Sequence, residues 1–253
     1  MINVDIFRPD YNWKIEVTED CIYHIDIIYE ADEDIMNIIA GTRSRYLKIA
    51  DLLDFDFSNE KKKEKAQMFN YWFFAPKLIS DVGMTPTDDL KVFGQVTSSG
   101  IDYVVNNDKW SNHIEQIHHE EVHLLVSNEI GEAPPLFNEG IATYTENMIY
   151  KGKDESFTLY ADIWNKHMPV ENGLIKKLMI NDYFWSVYGK LPLYTIGAAV
   201  VFFIVEKYSL DLLKEIFNST LYEDDQFVQI VESKIGMSVD DIETDMMKYY
   251  LRL

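Results

Sequence analysis

A single cysteine, Cys21, is all the thiol this 253-residue chain contains. It can build neither an intrachain disulfide framework nor a thiolate zinc site, so any bound metal must be held by histidine and carboxylate. One thiol also fits a reducing compartment. Positive charge is scarce as well: 23 lysines and arginines stand against 43 aspartates and glutamates, a formal net charge of −20. A field of that sign repels phosphate backbones and anionic lipid, which argues against nucleic acid and membrane partners. Long apolar runs are missing too. The most apolar stretch, residues 191–205, falls short of the ~20 residues that span a bilayer, carries Pro192 near its start and runs into Glu206 and Lys207. A buried core helix is expected there. The first ten residues hold no basic segment followed by an apolar one, so no secretory signal is read and a cytoplasmic location is expected. No motif recurs at a period of about 20 to 50 residues, and no low-complexity linker separates the halves.

What the chain does hold, 47% hydrophobic and 26% charged residues, suffices for a sizeable core in one large domain or two fused lobes. Residues 22–29 are rich in β-branched and aromatic side chains and read as a strand. Residues 34–53 carry apolar positions at helical spacing, interrupted at Gly41, and read as a helix with a possible kink. The basic cluster at 61–65 reads as a solvated turn, and 66–74, 90–96 and 101–105 as further strands, set apart by turn residues at 84–89 and 98–100. From Ser111 onward long helical segments follow, punctuated by Gly131, Pro134, Pro135, Gly173 and Gly236. The expected class is therefore α+β: an N-terminal lobe, 1–110, with a mixed sheet and helices, and a mostly helical lobe, 111–253, the two forming one catalytic domain. The acidic residues at 223–225 and 240–241 are placed at helix starts, where the dipole favours negative charge.

Chemistry concentrates in the first of these later helices. Asn112 is placed as its cap, with Glu115 three residues on, and the helix carries His118-His119-Glu120-Glu121-Val122-His123. His119, Glu120 and His123 form an H-E-x-x-H pattern. Positions four apart lie about 40° apart around a helix and one turn along it, so two imidazoles grip one ion while the intervening Glu120 reaches beside it. The pentapeptide alone is also compatible with an ordinary surface helix. The next segment narrows that: after Gly131 and the two prolines, a second helix opens at Asn138-Glu139-Gly140-Ile141-Ala142-Thr143-Tyr144-Thr145-Glu146. Glu139 is then placed to complete a set of two neutral imidazoles and one carboxylate with a fourth position open to water, the donor set of a catalytic zinc. Glu146, seven residues on and near the same face, is either a hydrogen-bond acceptor for the outer nitrogen of a ligand histidine or an ordinary exposed glutamate. His118 points about 100° away and reads as a packing or surface residue. His24, His113 and His167 carry no ligand spacing.

These residues resemble the gluzincin metallopeptidases, the thermolysin-like clan with H-E-x-x-H on one helix and a zinc-ligating glutamate on the next. Residues 138–146 look most like the aminopeptidase N family and its small bacterial relatives with a peptidase MA-like domain. Tyr194-Thr195-Ile196-Gly197-Ala198 is similar to the Tyr-x-x-Gly element that carries that family's transition-state-stabilising tyrosine. The resemblance spans 119–198 and implies a thermolysin-like zincin fold with the active-site helix between the lobes. It also implies Zn2+ as cofactor, a peptide or protein substrate, Glu120 as general base, and Tyr194 as oxyanion donor with Tyr188 as fallback. Two departures stand out: His123 and Glu139 are closer in sequence than in aminopeptidase N, and the Gly-x-Met-Glu-Asn signature that binds a free amino terminus has no counterpart near 92–97. Endopeptidase activity, or a different peptide specificity, is therefore expected, with residues 90–96 as an edge strand for substrate pairing. A catalytically silent zincin-fold scaffold and a zinc hydrolase of a non-peptide bond are the alternatives.

Overall fold

The computed structural model describes residues 12–57, 69–74, 92–97, 100–105, 109–167, 173–180, 190–219 and 224–251. The basic cluster at 61–65, the turns at 84–89 and 98–99, and Tyr188 lie outside them. The architecture is α+β. Two units divide the chain, Met1–Leu124 and Leu125–Leu253.

Among the described residues of the first unit, five strands form one mixed sheet in the order β1-β2-β3-β5-β4. β1 (Trp13–Val17) pairs antiparallel with β2 (Cys21–Asp26). β2, β3 (Phe69–Phe74) and β5 (Gly100–Val105) run parallel, and β4 (Val92–Thr97) closes the far edge antiparallel to β5. The strand expected over 22–29 stops at Asp26. Its carboxylate accepts from the Ile28 amide at 3.1 Å and turns the chain into a 3-10 turn, Ile27–Tyr29.

The helix α1 (Glu33–Leu53) follows, capped by Asp32, whose side chain accepts from the amides of Asp34 and Ile35. The helix runs through Gly41 without a break. A Cβ on Gly41 would lie 2.8 Å from Arg45 Nη1, so this glycine makes room for a guanidinium folded along its own helix. Tyr23, Tyr71, Phe73 and Tyr103 are fully buried on one sheet face, where their rings pack against one another at 5.0–6.5 Å. One cross-strand row reads Ile25, Phe73, Tyr103, Gly94, so bulk on three inner strands gives way to a bare backbone at the edge.

The next helix, α2 (Ile114–Glu129), lies against that face at its Tyr103 end, where the Tyr103 hydroxyl donates to the Ile117 carbonyl at 2.8 Å. It starts two residues later than the expected cap at Asn112, which instead lies in a 3-10 turn, Trp110–His113. Buried Trp110 and the bonds from Ser111 to the Asp34 carboxylate hold that turn. At its other end the Gly131 amide closes α2 on the Val126 carbonyl at 3.1 Å, with φ at +92°, a conformation that only glycine adopts freely.

In the second unit α3 (Pro135–Tyr150) begins three residues before the expected start at Asn138, because Pro135 fits the first helical position, where an N–H has no partner to lose. Asn138 instead accepts from the Ala133 amide at 3.1 Å and fixes the loop. There follow α4 (Lys153–His167), α5 (Leu174–Leu178), α6 (Lys190–Lys207), α7 (Leu210–Asn218), α8 (Asp224–Ile235) and α9 (Val239–Tyr250). α6 is the apolar core helix, buried continuously from Ile196 to Ile204. No helix among the described residues is long and apolar enough to cross a membrane. α3 and α6 meet backbone to backbone: a Cβ on Gly140 would lie 2.6 Å from the Gly197 oxygen, and one on Gly197 2.4 Å from the Leu136 oxygen. The Tyr250 hydroxyl ties α9 to α6 through the Ala199 carbonyl at 2.6 Å, and buried Glu243 accepts from the Gly173 and Ile175 amides at the start of α5.

Candidate metal centre

His119 and His123, one turn apart on α2, bring their Nε2 atoms to 3.2 Å, with the rings nearly perpendicular at 78°. Glu139, on the first turns of α3, completes the group: one ligand atom from each of the three residues lies within 4.8 Å of the others. This set can hold a metal ion. A tetrahedral zinc with bonds of about 2.0–2.1 Å separates its ligand atoms by about 3.4 Å, so the histidine pair already has that spacing. The wider bound on the three-atom set is a distance that a carboxylate rotamer covers. Two imidazoles and a carboxylate are borderline-soft and hard donors together, the chemistry zinc accepts and calcium or magnesium does not favour.

Glu120 is half-buried between α2 and the edge strand β4. A Cβ on Gly94 would stand 2.6 Å from Glu120 Cγ, 3.2 Å from its Cδ and 3.0 Å from Tyr103 Cε1. The bare backbone at the end of the Ile25–Phe73–Tyr103 row is therefore the space the Glu120 side chain occupies. Tyr194 is half-buried on α6, one turn before Gly197, and Gly197 touches Gly140, the residue after Glu139. The two glycines of the sequence motifs thus meet each other, and their contact fixes the helix of Tyr194 against the helix of Glu139. Glu146 is half-buried two turns beyond Glu139 on α3. His118 is fully buried on the core side of α2, and burial lowers its imidazole to about 4, with the nearby Arg45, Lys48 and His119 acting in the same direction. It is a packing residue, neutral at neutral pH. His24 stacks on Trp72 at 4.9 Å, and His113 is buried in the 3-10 turn.

One arrangement escaped the sequence reading. Glu121, the residue between Glu120 and Val122, is completely buried and paired with Arg45 of α1. Arg45 donates from Nε to Glu121 Oε2 and from Nη2 to Oε1, both at 2.7 Å. The same Nη2 donates to the Ile38 carbonyl at 3.0 Å and the Thr42 hydroxyl at 2.9 Å. Tyr71 donates to Glu121 at 3.2 Å and shares a short hydrogen bond with Tyr46, which Cys21 Sγ approaches at 3.7 Å. Desolvation works against the Arg45 charge, and the Glu121 carboxylate overrides it and raises Arg45 above its ordinary range. Burial pushes the Glu121 carboxyl upward while Arg45 pulls it back; the two short, parallel bonds are those of an ion pair. A signal for it existed. Glu121 stands in the stripe of Ile117 and Leu125, and Arg45 in that of Ile38 and Ile49, positions where a charge needs a partner. No protein-family model matches the chain and no curated protein matches it, so the site stands on its geometry and donor chemistry.

Proposed function

We propose that the chain is a zinc-dependent metallopeptidase of the gluzincin type, an endopeptidase with a thermolysin-like arrangement. The observation that carries this reading is the convergence of His119, His123 and Glu139 within 4.8 Å, with Glu120, on the helix of the two histidines, packed against Gly94. His119, His123 and Glu139 would hold the ion. Zinc, when bound, supplies a Lewis acid that lowers the pKa of water toward about 7 and polarises a carbonyl. Glu120 takes the proton of the attacking water and returns it to the leaving amine, a role that needs a carboxylate within hydrogen-bond reach of both. The Tyr194 hydroxyl donates to the oxygen on which negative charge develops, worth about 3 kcal/mol for such a donor. Glu146 orients a ligand imidazole through its outer nitrogen. β4 is paired only with β5 among the described strands, so a substrate added along its other edge in an extended conformation runs past Gly94 and Glu120. The unpaired thiol of Cys21 fits the reducing cytoplasm proposed as its location.

The test is mass-spectrometric profiling of a diverse peptide mixture incubated with zinc-loaded protein, with the Glu120→Gln variant in parallel. Wild type is expected to bind one zinc and cut internal bonds. Glu120→Gln is expected to keep the zinc and lose about 10²- to 10⁴-fold of the rate. Zinc bound without cleavage by either protein moves the assignment to a non-peptide hydrolase or a silent scaffold, and absence of zinc binding removes the reading altogether.

A further inference from the structure

The face of α2 opposite the metal ligands is built as carefully as the ligand face. At about 100° per residue, His119 and His123 straddle one direction around the helix, and Glu121 points about 180° from their midpoint. Glu121 is therefore the handle at the back of the metal helix, and Arg45 grips it. The grip is rigid. The guanidinium is bound at once to Glu121, to the Ile38 carbonyl and to Thr42, and Gly41 leaves it a slot that any side chain would fill. Tyr103 adds a second fixed point at the Ile117 carbonyl.

Stability alone is a poor reason for such a pair, because apolar residues of similar volume fill a buried ion-pair site about as well or better. Direction is what the pair adds: two parallel charge-assisted bonds fix both distance and angle, whereas apolar packing permits rolling. Side-chain tips reach about 5–6 Å from a helix axis, so a roll of ~10° sweeps His119 and His123 by about 1 Å. Metal–ligand distances tolerate about 0.2 Å. We propose that Arg45, acting through Glu121, is a positioning residue that sets the roll of α2 and so holds His119, Glu120 and His123 in register with the metal. The proposal rests on the metal-binding reading above and assigns its preorganisation to residues on the far side of the helix.

The experiment uses the full chain with Arg45→Met and Glu121→Leu combined, which removes both charges and keeps apolar bulk. Three quantities are read: melting temperature of the metal-free protein, zinc affinity by competition with a chromogenic chelator, and the visible spectrum of the cobalt-loaded protein. The expected result is an unchanged or higher melting temperature, a zinc affinity about 10- to 100-fold weaker, as for other groups that orient metal ligands, and an altered cobalt spectrum. Wild-type affinity and spectrum in the double variant overturn the proposal while leaving the metal site intact. A wild-type protein that binds neither metal overturns the metal reading and this one with it. Should the double variant not fold, Gly41→Ala decides: it keeps both charges, favours the helix and displaces only the guanidinium. A weakened zinc affinity supports the positioning role, and an unchanged one refutes it.

Discussion

Replacing Gly94 by alanine puts one methyl group against the side chain proposed as general base. The backbone there lies outside the positive-φ region, so alanine is conformationally allowed and the effect is one of contact. The methyl carbon would stand 2.6 Å from Glu120 Cγ, where carbon atoms in contact keep about 3.5–4.0 Å, so something must retreat by about 1 Å. Tyr103, 3.0 Å away, has little freedom: it is fully buried, stacked on Phe73 at 5.8 Å and hydrogen-bonded to Ile117. Glu120, half-buried, is the group that yields. A misplacement of about 1 Å in a reacting group costs on the order of 10²-fold in rate, or about 2.7 kcal/mol of transition-state stabilisation. The three atoms nearest the new methyl belong to Glu120 and Tyr103 rather than to the ligand imidazoles, and the zinc content is expected to stay at one per chain. The assay is kcat on a peptide cut by the wild type, beside metal analysis and a urea melt of the same preparation. Undiminished kcat in Gly94→Ala refutes the placement of Glu120, and a drop that merely follows lost zinc or lost fold refutes the reasoning about which group moves.

At the α3–α6 crossing, Gly140→Ala sets a methyl 2.6 Å from a backbone oxygen that no rotamer can remove, and overpacking of this kind costs about 1–3 kcal/mol, more than the gain in helix propensity. A lowered urea midpoint is expected, and an unchanged midpoint argues against the close crossing. Removing zinc with a chelator lowers the melting temperature: zinc at about 100 times its dissociation constant contributes about 2.7 kcal/mol, some 5–10 °C for a chain of this size, and identical melts with and without chelator count against a specific site. Burial pushes the Cys21 thiol up to about 12, against weaker opposing hydrogen bonds from Tyr23 and Tyr46. Iodoacetamide at pH 8.5 is thus expected to label the unfolded chain and spare the native one. Because this folded-state value lies above the unfolded one, the stability tied to the neutral thiol is complete below about pH 8.5 and is lost as pH rises toward 12. A Cys21→Ala variant should show a shallower alkaline decline in urea midpoint, and equal slopes contradict the assignment.

Which parts of the molecule were legible follows from the range of the interactions involved. His119, Glu120 and His123 are fixed by one turn of helix, and Glu139 by a short loop to the next, so local spacing sufficed to place the cluster the structure brings together. The core helix α6 was legible because its composition is apolar all round. β1 escaped because it is an edge strand with Ile15 and Val17 exposed, and an exposed strand leaves little pattern. The strand at 22–29 was overextended because Ile27 and Ile28 look like strand residues, yet the Asp26 side chain ends the strand and leaves both of them exposed. Arg45 and Glu121 are 76 residues apart, and no local pattern pairs them. Each was visible only as a charge in an apolar stripe.

Glycine in the interior of a helix or strand costs about 0.5–1 kcal/mol relative to alanine, so placing four of them among the described residues at the interior positions Gly41, Gly94, Gly140 and Gly197 gives up about 2–4 kcal/mol. Against a net stability of about 5–15 kcal/mol that is a large concession, and local propensity offers no reason for it. The contacts do. Gly41 admits Arg45, the grip on the back of α2; Gly94 admits Glu120; Gly140 and Gly197 admit each other and set the helix of Glu139 against that of Tyr194. All four departures serve the helices that carry the proposed metal ligands and catalytic groups, or the strand beside them. Rules of local structure are most often broken where function requires it. The glycines thus mark the same site as the histidines do, by an argument that uses neither the H-E-x-x-H spacing nor any resemblance. The two lines of reasoning fail independently: alanine tolerated at all four positions removes the steric argument and leaves the ligand geometry, whereas absent zinc binding does the reverse.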